Sequence, residues 1–316
     1  MSTLNVLSLD WDYFIDASLA QMSMLFPDMQ TESINGDIQN IIWAAHYGNE
    51  LSGKELLGIK ARLSELRIVK LLARSTSIEN EDAYGFMAAV SHSDIYNYIL
   101  GEIAAINSNP ELENIDSVEI VNVDFHHDCY HFSSSVANKH DAPNKTVNCG
   151  NWVWHLANTI PLTKYTWVNY GYINEDREEF DKMKDFYSTS EEETEFEESQ
   201  EGKRIIEMSE AIDLTDIEAS GFIPNRVFIS RSDAWTPPHL DSEFISFVEY
   251  MLNIREAGGK KFAKNYIDDK AIKDRFKVVE GISGTINDVR HNLTSVMEHY
   301  EKEVYPCVKK GSGVIA

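Results

Sequence analysis

Aspartate and histidine residues alternate directly after the clearest β-strand pattern in the chain. Residues 118–123 read Val-Glu-Ile-Val-Asn-Val and run into Asp124-Phe-His126-His-Asp128. A one-residue spacer places side chains on the same face of an extended segment, so these three side chains are expected to converge on one point. Two carboxylates and an imidazole in one buried place are costly unless they pair or bind a metal. The segment therefore indicates either a structural ion-pair cluster or part of a metal site.

A second pair of carboxylates follows a second predicted strand. Residues 4–9 alternate in polarity and then meet Asp10-Trp-Asp12. In an open parallel sheet, ligands bind beyond the carboxyl ends of the strands. The two strand ends together supply four carboxylates with a combined charge of −4, which two divalent cations would cancel. The pattern therefore favours a two-metal site over an isolated ion pair.

Two histidines are candidates for a sixth protein ligand. His92 follows a strand-like run over 85–91 and precedes a predicted helix over 95–106. His46 follows an apolar run that is equally compatible with a helix. A single histidine in either context is often a structural residue, and both alternatives stay open. The strand-to-helix position favours His92.

The elements around these residues predict an α/β fold. Residues 226–230 form another predicted strand, and 243–256 form a predicted amphipathic helix. From Ser52 to about Arg74, leucines recur at roughly helical spacing, with Ser52 as the N-cap and Glu55 completing a capping box. Strands that alternate with helices indicate βαβ units and a mainly parallel sheet.

Composition limits the classes of partner. The 316 residues include 28 basic and 52 acidic side chains, a net charge of −24, which excludes the basic surface that nucleic acids and anionic membranes require. A cationic partner or metal ions fit this charge. No apolar run approaches the roughly 18 residues of a membrane helix, and aspartates interrupt the first apolar stretch, so we expect a soluble, cytoplasmic protein without a signal peptide. Three cysteines without a CxxC pair indicate neither a disulfide framework nor a zinc ribbon.

One segment differs from the rest in charge. Residues 175–201 contain 13 acidic and 3 basic residues. Such a block is typical of a solvated loop or helix face, and the alternative is a surface that attracts a basic substrate. Because one large α/β domain of this length is ordinary, we expect a single domain over 1–316 with an acidic insertion at about 175–201.

The two carboxylate motifs resemble the metal-binding segments of the ureohydrolases, the superfamily of arginases and agmatinases. The matching residues are Asp124-x-His126-x-Asp128 and Ser8-x-Asp10-x-Asp12. This resemblance implies the three-layer α/β/α arginase–deacetylase fold and two manganese ions. In the deacetylase branch, glycine stands at the position of Asp128 and the metal is a single zinc, so Asp128 favours the two-metal branch. In ordinary arginases the Asp-x-Asp segment comes last, so this chain has a permuted motif order, which a packed sheet tolerates.

Four motifs narrow the resemblance to the peptide arginases, which convert arginine side chains of ribosomally made peptides to ornithine. The motifs lie at 9–14, 124–129, 149–152 and 230–238. The resemblance implies Mn²⁺ ligands as follows: Asp10 and Asp124 bridging, His92 and Asp128 on the first metal, His126 and Asp12 on the second. It also implies that a metal-bridging hydroxide attacks the guanidinium carbon to release urea, with Asp128 accepting a proton from the bridging water.

The loop that ends at Trp152 is expected to line the pocket of an arginine-containing peptide. Gly150, Asn151 and Trp152 are the candidate substrate contacts, with Trp152 acting through a cation–π contact. A core position for Trp152 and Trp154 is an equal alternative. The pattern with which arginases bind free amino acids is absent after Asp128, which suits a substrate embedded in a peptide.

The proton carrier and the exact reaction stay open. The histidine of the arginase Gly-Asn-x-His loop is missing, and we take His127 as the candidate catalytic residue beside Asp128, with Tyr130, His131 and His155 as alternatives. Another C–N hydrolase of the same fold, agmatinase-like or deacetylase-like, is the first alternative function. A non-catalytic metal-binding module is the second. The sequence indicates neither the peptide's identity nor an oligomeric state.

Overall fold

A single parallel sheet organises the chain, as seen in a computed structural model that describes residues 2–27, 36–61, 85–130, 147–169, 175–188, 207–211, 214–241, 243–245 and 247–248. Its six strands are β1 (Ser2–Asp10), β2 (Gly85–Ala89), β3 (Ile115–Val123), β4 (Leu162–Val168), β5 (Met208–Ala211) and β6 (Arg226–Ser230). Their order is β2-β6-β1-β3-β4-β5, and each neighbouring pair runs parallel. The predicted α/β class is confirmed, and the arrangement is consistent with a three-layer α/β/α fold.

Helices connect the strands, as parallel pairing requires. In the described residues they are α1 (Leu19–Leu25), α2 (Gly36–Gly48), α3 (Glu50–Leu56), α4 (Asp94–Asn107), α5 (Trp152–Ala157), α6 (Glu175–Ser188) and α7 (Leu214–Ser220). Short 3₁₀ turns occupy Trp11–Phe14 and Pro238–Leu240. Among these described helices, none has the length and apolar character needed to cross a membrane.

The chain divides into two compact units. The first takes in residues 1–14, 62–232 and 244–268 and contains the whole sheet. The second takes in 15–61, 233–243 and 269–316 and contains α1, α2 and α3. The expectation of a single domain over 1–316 stays a prediction.

Burial on both faces explains the apolar central strands. β1 lies between β3 and β6, and its residues from Val6 to Asp10 are all buried. Every residue of β6 is buried as well. Strands covered on both faces are rich in apolar residues, and the patterns at 4–9, 118–123 and 226–230, which are mainly apolar, correctly predicted strands. The predicted strand over 85–91 ends at Ala89.

The first half of the predicted acidic insertion is part of the fold. Helix α6 lies between β4 and β5 in the chain, and its Phe180 is fully buried. The Phe180 ring packs against Trp167 at a centroid distance of 5.1 Å and against Tyr165 at 6.4 Å. Residues 175–188 are therefore a connecting helix with an acidic sequence and a buried Phe180, while 189–201 lie outside the described residues.

The helix that was predicted with Ser52 as its N-cap has its N-cap three residues earlier, at Asn49. The side chain of Asn49 accepts hydrogen bonds from the backbone N–H groups of Leu51 and Ser52, so Asn49 is the N-cap of α3. Ser52 lies inside the helix and donates its hydroxyl to the carbonyl of His46. The prediction of Ser52 as the N-cap was wrong because Asn49, another residue type that caps helices well, lies three residues earlier. The described helix ends at Leu56.

Of two other predicted helices, one lies wholly within the described residues and the other only in part. The helix predicted over 95–106 is α4, which has Ser93 at its N-cap position without a side-chain hydrogen bond. Of the helix predicted over 243–256, residues 243–245 and 247–248 are described, and they are helical. The remainder lies outside the described residues.

Candidate metal centre

The candidate ligands lie at the carboxyl ends of adjacent strands in the first unit. Asp10 is the last residue of β1, Asp124 follows β3, and His92 follows β2 by three residues. Strand β6 lies between β2 and β1, and the loop after it also reaches the cluster. Because all of these strands run parallel, their carboxyl ends meet at one edge of the sheet, where open α/β sheets bind ligands.

One group of ligand atoms surrounds the ring of His92. Three carboxylate oxygens approach its Nδ1: Asp10 Oδ2 at 3.1 Å, Asp124 Oδ2 at 3.1 Å and Asp128 Oδ2 at 3.0 Å. A single N–H can point to only one of them. The three oxygens are close enough to the ring nitrogen for all four atoms to contact one metal ion.

A second group shares Asp124 with the first. His126 Nδ1 lies 3.1 Å from Asp12 Oδ2 and 3.9 Å from Asp124 Oδ1. Ligand atoms of Asp12, Asp124 and His126 all lie within 4.8 Å of one another, and so do those of Asp10, His92 and Asp124. The described residues thus form a buried Asp/His cluster that could hold a metal ion.

The structure brings His92 to this cluster, whereas His46 belongs to the other compact unit. His92 is fully buried beside Asp10 and Asp124. His46 belongs to α2 in the second unit, and burial lowers its pKa. Of the two histidines that the sequence left open, His92 has the geometry of a ligand.

The sequence predicted that these side chains converge because they alternate along an extended segment. In the structure they converge in a different way. β3 ends at Val123, and the N–H of His126 donates to Asp124 Oδ1 at 2.8 Å, which forms a side-chain turn. Asp12 lies in the 3₁₀ turn that follows β1 rather than in the strand. The one-residue spacing therefore acts through tight turns at the strand ends, and that part of the prediction was wrong.

Hydrogen bonds from neighbouring polar residues orient most of the candidate ligands. The donors and partners are Ser8 Oγ with His92 Nε2 (2.7 Å), Asn122 Nδ2 to Asp124 Oδ2 (3.1 Å), Ser232 Oγ to Asp10 Oδ2 (2.8 Å) and Trp152 Nε1 to Asp128 Oδ2 (2.7 Å). Such outer partners fix the orientation of metal ligands. None of these roles was predicted from the sequence, because Ser8, Ser232 and Trp152 are distant in sequence from the ligands that they contact.

Strained backbone is concentrated at this site. Among the described residues other than glycine, Asp128 and Ser232 have positive φ angles, of 55° and 57°. Residues held in the left-handed region cost of order 1–3 kcal/mol and persist where the surroundings determine them. The backbone N–H of Ser232 donates to Val90 O and that of Arg231 to Ala89 O, so the loop after β6 is tied to the end of β2.

Burial and mutual repulsion perturb the acidic groups strongly. Burial, together with Asp10 and Asp124, raises the pKa of Asp12 from 3.8 to about 8. Burial and the neighbouring Asp128 and Asp10 also raise the pKa of Asp124 well above its usual range. Burial by itself would lower the pKa of His92, but Asp128 and Asp10 raise it well above its usual range. The cluster therefore requires positive charge before its carboxylates can ionise together.

The buried donor atoms fit a divalent cation that prefers oxygen and nitrogen. Asp10 Oδ1, Asp12 Oδ2 and His92 Nδ1 are buried and lack a hydrogen bond of acceptable geometry. Burial raises the pKa of the nearby Cys129 thiol, which donates to the carbonyl of His127, so it is not a competing ligand.

The cluster is open towards His126. The side chain of His126 is 21% exposed, whereas those of its partners in the ion pairs are at most 4% exposed. Access for solvent or substrate is therefore expected on the side of Asp12 and His126.

His127 occupies an aromatic environment. Its Nδ1 accepts the backbone N–H of Cys129 at 3.0 Å, and its ring lies 4.3 Å from that of Tyr130 and 5.8 Å from that of Trp167. This packing is typical of a structural histidine. The catalytic role of His127 stays a prediction.

The loop expected to contact substrate is buried. Gly150 O accepts the N–H of Tyr130, and Asn151 Oδ1 accepts the N–H of Asn148 at 2.7 Å. Trp152 is 0% exposed. Of the two positions that the sequence left open for this residue, a substrate contact or the core, its burial corresponds to the core.

The other candidate proton carriers have separate positions. Tyr130 is partly exposed, and His155 lies in the last turn of α5 with its ring 4.7 Å from that of Trp154. His131 lies outside the described residues.

Comparisons of the chain with protein-family models, with curated proteins and with solved structures find no match.

Proposed function

We propose that this chain is a dinuclear manganese hydrolase that converts arginine side chains of a peptide to ornithine and releases urea. The observation that carries the proposal is the pair of Asp/His groups that share Asp124 at one edge of a parallel sheet. The peptide arginase motifs supply the substrate class, and the buried cluster supplies a place for the chemistry.

The proposed metal ligands divide into two sets. Asp10, His92, Asp124 and Asp128 surround the first position, and Asp12, Asp124 and His126 surround the second. The four carboxylates balance about two divalent cations in charge, which removes the cost of burying them together. When bound, divalent cations make water nucleophilic near neutral pH.

Protein side chains would orient the reactants and move protons. In the proposed reaction Asp128 accepts a proton from the attacking water, and the Trp152 indole and His92 both contact its Oδ2. Water adds to the guanidinium carbon, and the bond from that carbon to the arginine Nε then breaks. The proton passes to Nε, so that ornithine leaves as an amine together with neutral urea.

A cationic substrate agrees with the charge of the chain. The net charge of −24 attracts an arginine-bearing peptide over a distance set by the salt concentration. The partly exposed His126 marks the side from which a side chain would enter. A long arginine side chain suits such entry because its charged end extends away from the peptide backbone.

Urea release from a synthetic peptide tests the proposal. The chain is stripped with EDTA, reloaded with Mn²⁺, and incubated with an arginine-containing peptide, free arginine, agmatine and an acetyl-lysine peptide. We expect ornithine in the first peptide and urea in solution, with both lost in Asp124→Ala. Deacetylation alone would exclude a ureohydrolase, and tight metal binding without turnover of any of the four substrates would indicate a binding module.

A further inference from the structure

The carboxylate of Asp128 is held in an unfavourable backbone conformation. Asp128 has a φ of 55°, a region that aspartate adopts more readily than most residues but still rarely. Two groups contact the same oxygen: His92 Nδ1 at 3.0 Å and Trp152 Nε1 at 2.7 Å. The rare backbone conformation of Asp128 therefore coincides with a hydrogen bond to its side chain from Trp152, which lies in another part of the chain.

Trp152 is well anchored for this contact. It is the first residue of α5 and is fully buried. Its ring lies 5.3 Å from that of His92 and 6.3 Å from that of Tyr165. The backbone bond from Tyr130 N–H to Gly150 O also ties the segment after Asp128 to the loop before Trp152.

An indole donor suits this position chemically. The Nε1–H of tryptophan donates but cannot accept, and it does not titrate in the physiological range. It therefore fixes one oxygen of Asp128 without adding a positive charge that would compete with a metal ion. A lysine or arginine at the same place would neutralise the carboxylate and weaken its attraction for the cation.

We propose that Trp152 is a positioning residue, which holds the carboxylate of Asp128 beside His92 and thereby sets the affinity of the site for divalent metal. The inference rests on the metal site in the proposed function. It differs from the substrate contact that the sequence predicted for Trp152, because the indole acts on a ligand from within the core.

The test compares Mn²⁺ binding to Trp152→Phe and to the intact chain. Phenylalanine keeps an aromatic ring but removes the N–H. We expect Mn²⁺ to bind about 10- to 100-fold more weakly to this variant, which is typical when the outer partner of a metal ligand is lost. Free Mn²⁺ is counted by electron paramagnetic resonance during titration of the EDTA-stripped protein. Trp154→Phe, on the same helix, is the matched control and should bind Mn²⁺ as the intact chain does.

A second variant separates the lost donor from the lost volume. Trp152→His has a smaller ring that retains an N–H, and it should recover part of the affinity that Trp152→Phe loses. Equal Mn²⁺ affinity in Trp152→Phe and the intact chain would overturn the proposal. Failure of both Trp152 variants to fold would also overturn it, because the core rather than Asp128 would then require the indole.

A spectroscopic measurement distinguishes positioning from general support of the fold. In protein labelled with ¹⁵N-tryptophan, the indole N–H signal missing from Trp152→Phe should shift when Mg²⁺ is added, while the Trp154 signal stays in place. An unmoved Trp152 signal in protein that binds metal would contradict the inference. If the intact chain binds no divalent metal at all, the proposed function fails instead, so the two failures are distinct.

Discussion

Asp124→Asn is expected to be at least as stable as the intact chain without metal but less stable than the intact chain in Mn²⁺. Asp124 belongs to both ligand groups and is fully buried. Asparagine retains an acceptor for the N–H of His126 but loses the bond that Asn122 donates to the second oxygen. It also removes one negative charge from a crowded buried site, so the variant should be at least as stable as the intact chain without metal and weaker with it.

The size of the effect follows from the pKa of Asp12. A rise from 3.8 to about 8 costs the folded, metal-free chain about 4 kcal/mol at pH 7, at about 1.36 kcal/mol per pKa unit. Burial is the largest cause, followed by Asp10 and then Asp124, so removing the charge of Asp124 returns only a fraction of this cost. The lost bond from Asn122 offsets about 1 kcal/mol of that gain.

The measurement is thermal unfolding at pH 7, in EDTA and in Mn²⁺. The intact chain gains about 2.7 kcal/mol when Mn²⁺ is present at about 100 times its dissociation constant, and the variant gains little. Asp116→Asn, an exposed position on the same strand, is the matched control and should respond to Mn²⁺ as the intact chain does. Equal stabilisation of Asp124→Asn and the intact chain by Mn²⁺ would show that Asp124 is not a shared ligand.

Three further changes test separate parts of the structure. Ser8→Ala removes the partner of His92 Nε2 and should weaken Mn²⁺ binding about 10- to 100-fold, whereas an unchanged titration would separate Ser8 from the site. Burial lowers the pKa of His239, whose ring forms hydrogen bonds with Tyr47 and Ile59. The unfolded chain, where the pKa is 6.5, therefore takes up a proton before the folded chain does, so the free energy of unfolding should decline as the pH falls below 6.5. Unfolding of His239→Gln should depend less on pH in that window, and equal slopes would contradict the lowered pKa. Phe180→Ala should cost about 3–5 kcal/mol in urea unfolding, and a loss below about 1 kcal/mol would remove α6 from the core.

The strands could be predicted because burial on both faces leaves a plain signal. The stretches 4–9, 118–123 and 226–230 consist mainly of apolar residues, with a few polar residues among them. Helix ends were harder to predict, because Asn49 and Ser52 are both good caps and only the folded chain shows which one accepts the N–H groups. Local chemistry thus predicts the kind of element better than its boundary.

The position of the candidate ligands at one sheet edge could be predicted from the sequence, whereas the hydrogen bonds that orient them could not. Asp10, Asp124 and His92 each follow an apolar strand, which places them at one sheet edge once the strands are parallel. The turn at Asp124 is closed by a local bond from the N–H of His126, but the left-handed Asp128 is contacted by the indole of Trp152, which lies 24 residues further along the chain. Trp152 illustrates the difference, because its residue type fits both a substrate contact and a core donor, and only burial separates the two.

Metal content, measured together with urea release, tests the proposed metal centre most directly. The EDTA-stripped chain is equilibrated with Mn²⁺, freed of unbound ions and assayed by mass spectrometry for metal and for ornithine in an arginine-containing peptide. We expect about two Mn²⁺ per chain with urea release, and loss of both metal and urea in Asp10→Ala and Asp124→Ala. Full metal occupancy in both variants, or an intact chain that binds no metal, would contradict the assignment.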